Sequence, residues 1–367
     1  MTADRPVMRV DRLWAEDFRS YAAADVELAP GFTAVLGRNG EGKTNLLEAI
    51  AYLSRQQSFR GAPPEALVRR GAERAVVRGE LHAGERALLV EAEIPTRGRP
   101  RVLLNRQRVA RRADLLSAFQ VSVFTPDDLD LVKAGPAIRR ELLDELLVAS
   151  HPRNEAVVGD VEKILRQRNA LLKQVGGRRG ADAALTLDVW DARLAAAGDR
   201  LGQLRAELVD RLRPLVAAAY DELAGTAARA ELRYQAPWRD GGLADALARG
   251  RTDDVRRGVS LVGPHRDELE LLLDGLAARH QASQGEQRSF AFALRLAAHR
   301  LVIEELGSVP VLLLDDVFSE LDPHRSAALL RSLPAGQVVL TSAVGLPEGA
   351  TPDLVLDVAG GGVAVRS

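Results

Sequence analysis

Apolar and polar residues alternate from Met8 to Leu13 and again over Val26 to Leu28, on either side of a polar turn at Asp17 to Ser20. This period of two predicts a β-hairpin. Phe32 to Leu36 is largely apolar throughout, as a buried strand is. A Gly-rich turn follows, and Leu46, Leu47, Ile50 and Leu53 then recur at helical spacing over Thr44 to Leu53. Short β-type runs at Ala75 to Leu81, Ala87 to Ile94, Arg101 to Leu104 and Val121 to Phe124 predict a β-rich sublobe, with turns at His82 to Gly84 and at Asn105-Arg106.

From Pro136 to about Tyr220 the period becomes helical. Val157, Val161, Ile164, Leu171 and Val175 fall on alternating steps of four and three, with Arg168 at the remaining seam position. After the turn Gly176 to Gly180, the same steps resume at Leu187, Trp190, Leu194, Ala197, Leu201, Leu204 and Leu208. Such a seam predicts an antiparallel helical hairpin or short coiled coil. Arms of roughly 35–40 residues would reach about 55 Å and stand off a core. Two helices packed on a globular core satisfy the same short repeat.

Past Arg251 the α/β pattern returns. It gives a strand at Leu269 to Leu273, a helix from Glu286 to about Leu306, a strand at Val309 to Leu314, a helix at Pro323 to Ser332 and a strand at Gln337 to Thr341. The expected organisation is an α/β nucleotide-binding lobe split by a helical insertion. Residues 1–135 form its N-terminal half with the β-sublobe, 136–235 the inserted arm lobe, and 236–367 the C-terminal half.

The chain has 367 residues, 46% hydrophobic and 28% charged, with no apolar run approaching the roughly 20 residues that span a bilayer. Its first twenty residues lack the apolar core of a secretory signal, so a cytoplasmic location without membrane partners is expected. The absence of cysteine excludes disulfides, thiolate catalysis and Cys-based metal sites. Fifty basic and fifty-one acidic residues leave a net charge of -1, so attraction for nucleic acid has to come from local patches.

Gly37-Arg38-Asn39-Gly40-Glu41-Gly42-Lys43-Thr44 fits the phosphate-binding pattern G-x-x-x-x-G-K-[ST], between a predicted strand and helix as the chemistry requires. Glycines let backbone N–H groups curl round phosphates, and the helix adds its positive end. Lys43 supplies charge to the β- and γ-phosphates, and the Thr44 hydroxyl is a ligand for Mg2+. Val311 to Asp316 is an apolar strand ending in two carboxylates. Asp315 is placed to hold Mg2+, and Asp316 to orient or deprotonate the attacking water. Ser283-Gln284-Gly285-Glu286-Gln287-Arg288 opens a helix, where Ser283 and Glu286 fit a capping box. The same hydroxyl and N–H groups fit a γ-phosphate. The order P-loop, Ser-x-Gly-Glu, apolar-Asp-Asp and Ser319-Glu-Leu-Asp322 is that of the ABC-type ATPases, with signature, Walker B and D-loop in sequence.

These elements narrow further. Asn39 and Asn45 around Gly-Lys-Thr, the helical insertion, Ser-Gln-Gly-Glu-Gln-Arg and Leu-Leu-Leu-Asp-Asp-Val-Phe-Ser-Glu-Leu-Asp together resemble the RecF family, related to the heads of SMC proteins. Ser58-Phe-Arg60, Phe124 to Leu129, Arg139-Arg140 with Leu143-Asp144, and Gly263 to Asp267 extend the likeness from about residue 8 to 342. The resemblance implies an ABC-type ATPase head that binds ATP through Gly37 to Asn45, with Ser283, Gln284 and Gly285 closing on a second copy's nucleotide. It implies slow hydrolysis, an ATP-dependent homodimer, and binding to duplex DNA or a single/double-strand junction. RecR, and indirectly RecO and RecA, are the implied protein partners. Two departures from the broader ABC pattern separate the chain from a transporter ATPase subunit: Asp316 stands where Glu is usual, and no histidine follows Val338 to Thr341. A transporter subunit would also lack the helical insertion. A P-loop kinase would have no use for Ser283-Gln-Gly, and a nuclease would need a further carboxylate-rich site.

Arg97, Arg99, Arg101, Arg106, Arg108, Arg111 and Arg112 fall in a stretch without acids. A solvated hairpin with guanidinium stems lying over a sheet accounts for them, and so does a surface that tracks DNA phosphates. Aromatics make up 4% of the chain, which favours backbone contact over base stacking. His265, His280 and His324 show no ligand spacing and read as ordinary polar residues, His265 standing apart only through its motif.

Overall fold

The structure is a computed structural model that describes residues 5–175, 181–225 and 227–366; the turn expected at 176–180 lies outside them. The chain divides into two compact units. The first comprises Met1–Leu129, Ala219–Thr226 and Arg288–Ser367, and the second Asp130–Ala218 and Ala227–Gln287. Residues 236–287, expected with the C-terminal half of the head, therefore fall in the second unit. Among the described residues no helix is long and apolar enough to cross a membrane.

The first unit packs two six-stranded sheets around one core. In one sheet the hairpin Met8–Phe18 and Tyr21–Glu27 continues antiparallel through Arg74–Ala83, Arg86–Pro95, Arg101–Leu104 and Gln107–Arg108. Its strands alternate buried and exposed residues because one face is solvated. The turn Asn105-Arg106 takes φ of 51° and 66°, the left-handed pair that a tight hairpin needs. The second sheet runs Gly362–Val365, Leu354–Ala359, Phe32–Leu36, Val338–Ser342, Val311–Asp315 and Val121–Phe124, parallel except for its first pair. Val311–Asp315 and Val338–Ser342 are buried at every residue, as a parallel strand covered on both faces must be. Helix Lys43–Arg55 buries Leu46, Leu47, Ile50 and Leu53 in the core both sheets share.

Two strands differ from expectation. Val121–Phe124 does not belong to the β-sublobe; it pairs parallel with Val311 to Leu314, where its apolar side chains are covered. Glu268–Leu273 joins Ala230–Gln235 and Leu276–Ala277 in a three-stranded antiparallel sheet of the second unit.

The helical hairpin has unequal arms, Asn154–Val175 of 22 residues and Ala181–Ala224 of 44, rather than two of 35–40, and all but the last six residues of the longer helix fall in the second unit. Val161, Leu187, Leu194, Leu201 and Leu208 are buried, as the seam requires. The longer arm is also covered in its middle. A Cβ at Gly198 would lie 2.3 Å from Leu243, and one at Gly202 2.5 Å from Trp238. These glycines let the segment 238–264 pack directly on the longer arm, so the hairpin does not stand free. Arg168, at the seam position that broke the apolar repeat, is 0% exposed. It donates to Asp191 at 2.6 Å, to Asp254 at 2.7 Å and to the Ser260 hydroxyl at 2.7 Å. A buried guanidinium needs such company to offset its lost hydration.

Candidate nucleotide-binding site

Phe32–Leu36, an interior strand, delivers the chain to the C-terminal ends of the parallel strands, and Gly37 to Gly42 turn it into helix Lys43–Arg55. The turn depends on close approach. At Gly37 a Cβ would sit 2.3 Å from the Val358 carbonyl oxygen. At Gly42, where φ is 115°, it would sit 2.7 Å from Ser20 Oγ and 3.1 Å from the Tyr21 hydroxyl. Tyr21 in turn donates to the Gly42 carbonyl at 2.9 Å, and burial pushes its phenol pKa up, so it remains a donor. Asn45 donates to Ser20 Oγ at 2.9 Å, and the Glu41 carboxylate accepts the Gly360 N–H at 2.6 Å. The loop is thus held from both sides by hairpin turns, while Arg38, Asn39 and Gly40 at its crest are exposed.

Lys43 is buried, and its ammonium donates to the carbonyls of Gly37 at 2.8 Å and Arg38 at 3.0 Å, inside the curve of the loop. The Thr44 hydroxyl donates to Asp315 Oδ1 at 2.9 Å, and the Thr341 hydroxyl donates to the same oxygen at 2.7 Å. Two sequence-remote motifs therefore meet at one carboxylate. Burial holds the Asp315 carboxyl above the usual range. The hydroxyls of Thr341 and Thr44 oppose that rise, the neighbouring charge of Asp316 adds to it, and Arg60 opposes it. Asp316 takes φ 50° and ψ 26°, a left-handed turn that ends the strand just past Asp315, and it is half-exposed. Its N–H donates to Thr341 Oγ1 at 2.9 Å, and its carbonyl accepts the Ser319 hydroxyl at 2.7 Å.

The donor set fits a hydrated hard cation beside a polyphosphate: one hydroxyl, one desolvated carboxylate, and an ammonium next to curled backbone N–H groups.

Ser283, Gln284 and Gly285 lie in the second unit. The capping box is formed, for the Ser283 N–H donates to Glu286 Oε2 at 2.7 Å and the Glu286 N–H to Ser283 Oγ at 3.3 Å. An accepting hydroxyl still carries its own O–H, so the cap does not exhaust Ser283. Gln287 is buried and holds three carbonyls, of Ala278, Arg279 and Ala282. Asp322 caps helix Pro323–Ser332 through the Arg325 N–H at 3.0 Å.

The seven arginines lie on or beside the antiparallel sheet. Arg97, Arg99, Arg101, Arg106, Arg108 and Arg111 are exposed, and Arg112 is half-buried. Arg101 is in register with Glu93, and Arg108 with Leu103. Arg111 pairs with Asp114 at 3.1 Å. Glu93, opposite Arg101, is paired with Arg74 at 3.0 Å, so the acid paired with this cluster in these contacts is Asp114, three residues beyond Arg111.

Residue patterns missed several supporting groups. Thr341 was visible only as the end of a strand; its role comes from lying opposite Asp315 in the ladder. Glu48, fully buried one turn into the helix, accepts two hydrogen bonds from Arg19 at 2.7 and 2.8 Å and one from the Ser58 hydroxyl. Ser58 Oγ also accepts the Arg60 N–H at 3.0 Å. The Glu41–Gly360 contact left no sequence signal at all.

The profile of the RecF/RecN/SMC N-terminal domain family matches residues 9–342. The chain is 45% identical over 356 residues to the DNA replication and repair protein RecF of Frankia alni, covering 92% of this chain and 94% of that one. It is 45% identical over 352 residues to the same-named protein of Streptomyces avermitilis, with the same coverage. A solved structure of the recombination mediator protein RecF-ATPrS in the RecFOR pathway superposes with a TM-score of 0.90 at 28% identity, covering 99% of both chains. An Smc head bound to the C-winged helix domain of ScpA, at 17% identity, a TM-score of 0.59 and coverage of 97% and 96%, shares the fold.

Proposed function

The chain belongs to the RecF family, and on that premise we propose that it is an ATP-dependent DNA-binding protein of replication and recombinational repair. The observation that carries this reading is the meeting of Thr44 and Asp315, from the P-loop and the apolar-Asp-Asp strand, at 2.9 Å. Lys43 and the N–H groups of Gly37 to Asn45, those of Arg38, Asn39, Gly40 and Glu41 among them, bind the phosphates. Thr44 and Asp315 would hold Mg2+, which would supply charge neutralisation at the bound phosphates. Asp316 orients the attacking water and accepts its proton. Its side chain is one methylene shorter than Glu, and that reach suits slow hydrolysis.

Ser283, Gln284 and Gly285 complete the site of a second copy rather than their own. ATP accordingly joins two chains into a homodimer that clamps DNA, and hydrolysis releases it. The exposed arginines between Arg97 and Arg112 supply a phosphate-tracking surface for duplex or junction DNA. Placement of RecA on gapped DNA, through RecR and indirectly RecO, is the cellular task this implies, in the cytoplasm.

Mixing two defective proteins tests the shared site. Ser283→Arg spoils only the signature, and Lys43→Met only the P-loop, so each alone should be inactive. A heterodimer contains one intact composite site, and DNA-stimulated hydrolysis should reappear on mixing. Absence of recovery, when heterodimers form and a wild-type/Lys43→Met hybrid is active, overturns the composite site.

A further inference from the structure

Two of the segments that carry the family likeness, Arg139-Arg140 and Gly263 to Asp267, take no part in the nucleotide site. In the second unit the fold brings them together. Arg140 Nη1 donates to the Asp267 carbonyl at 2.7 Å, and Arg266 Nη2 to the Ser260 carbonyl at 3.2 Å. Both partners are neutral backbone oxygens.

The carboxylates nearby are already committed. Glu268 accepts both arms of Arg139 at 2.8 and 2.9 Å. Asp144 accepts both arms of Arg205 at 2.8 and 2.7 Å. Asp254 is taken by Arg168 and the Leu261 N–H. Asp267 is buried and bonded to Tyr234 and Trp238, with Arg205 3.6 Å away. Among the described residues neither Arg140 nor Arg266 has a carboxylate within ion-pair distance. Burial holds Arg140 below the ordinary arginine range; repulsion from Arg205 and, to a smaller extent, Arg266 adds to that, while Glu268 and Asp267 oppose it. His265 Nε2 donates to the Ser260 carbonyl at 2.9 Å, and burial lowers its pKa, so the neutral ring supplies no countercharge to the two guanidiniums.

A half-buried guanidinium beside an exposed one, each with most of its donors unspent, is an arrangement that an anion stabilises. From this geometry we infer that Arg140 and Arg266 form a phosphate-binding site on the second unit. Arginine suits the task because its planar fork meets two phosphate oxygens at once. The ligand is a phosphate group, either of a DNA backbone or free. Only the choice of DNA as a source rests on the proposed function.

The full-length protein carries the test. Duplex binding is measured across a salt series for the wild type and for Arg140→Gln/Arg266→Gln, and inorganic phosphate is titrated while the melting temperature is followed. If DNA supplies the phosphate, the double variant flattens the dependence of log K on log salt by about 0.9 for each phosphate no longer neutralised, with ATP affinity unchanged. If free phosphate is the ligand, the salt slope stays the same and the phosphate-induced rise in melting temperature disappears. Unchanged behaviour in both arms overturns the site. Should the double variant fold poorly, the exposed Arg266→Gln alone decides, and Arg140→Lys/Arg266→Lys, which keeps the charge, should restore part of the slope. A wild type that binds no duplex would refute the proposed function while leaving the phosphate titration to judge the site.

Discussion

Asp315 and Asp254 are both buried carboxylates, at 6% and 1% exposure, and they are treated in opposite ways. Asp254 faces a guanidinium and a backbone N–H inside the second unit, so its charge is answered where it lies. Asp315 faces two hydroxyls, which stabilise a carboxylate without neutralising it, and a second carboxylate adjoins it in sequence. Asp254 is the arrangement of a structural clasp. Asp315 is a charge held largely out of water without an ion-paired guanidinium or ammonium at hydrogen-bond distance among its bonded partners, which is what the proposed cation site requires. The contrast separates a buried ion that secures the fold from one that the fold tolerates for chemistry.

The largest effect is expected where a charge meets the ligand directly. Lys43→Met removes charge-assisted hydrogen bonds to two phosphates, about 3–6 kcal/mol or roughly 10²–10⁴-fold in ATP affinity, measurable with a fluorescent ATP analogue. Asp316→Asn should keep ATP affinity and slow single-turnover hydrolysis by about 10²–10⁴-fold, the usual worth of a positioned base. Hydrolysis at the parent rate would remove Asp316 from the mechanism. In the clasp, Arg168→Met strands Asp191 and Asp254 without their partner and should cost about 3–5 kcal/mol in urea unfolding, with less effect on ATP affinity than Lys43→Met. Smallest is Glu41→Ala, which frees the Gly360 N–H at the loop's flank. The loss of about 0.5–1.5 kcal/mol should appear as a several-fold rise in KM for ATP, with kcat nearly unchanged.

What the sequence made legible follows from distance along the chain. The P-loop is contiguous, so its pattern carried both its conformation and its chemistry. Asp315-Asp316 was legible because a buried apolar strand ends there. Thr341, twenty-six positions beyond Asp315, acts through strand register, and no local pattern records which strand will lie alongside. The same limit explains Val121–Phe124, whose short apolar run fits either sheet until its parallel partner is known. Helical periodicity identified inward-facing positions on both arms, including Arg168. It could not show that Asp254 and Ser260, from a later segment, would close over that arginine and turn an expected free arm into a packed one. The hairpin Leu354–Ala359 and Gly362–Val365, which braces the P-loop at Gly37 and Glu41, lies past the last motif and carried no signal of its own.

The contrast between the two carboxylates also fixes a sign. A carboxyl whose pKa is raised on folding binds its proton more tightly in the folded chain. The folded state therefore loses stability as pH rises from the usual carboxylate range through the raised value, and at neutral pH the ionised Asp315 is a net cost. The most direct test compares melting temperatures of Asp315→Asn and Asp254→Asn at pH 7, without nucleotide or divalent cation. The expected result is opposite signs. Asp315→Asn melts above the wild type while losing hydrolysis, and Asp254→Asn melts well below it, because Arg168 is left with a reduced countercharge. If Asp315→Asn melts below the wild type in the same manner as Asp254→Asn, Asp315 is a structural charge and the account of the site is wrong.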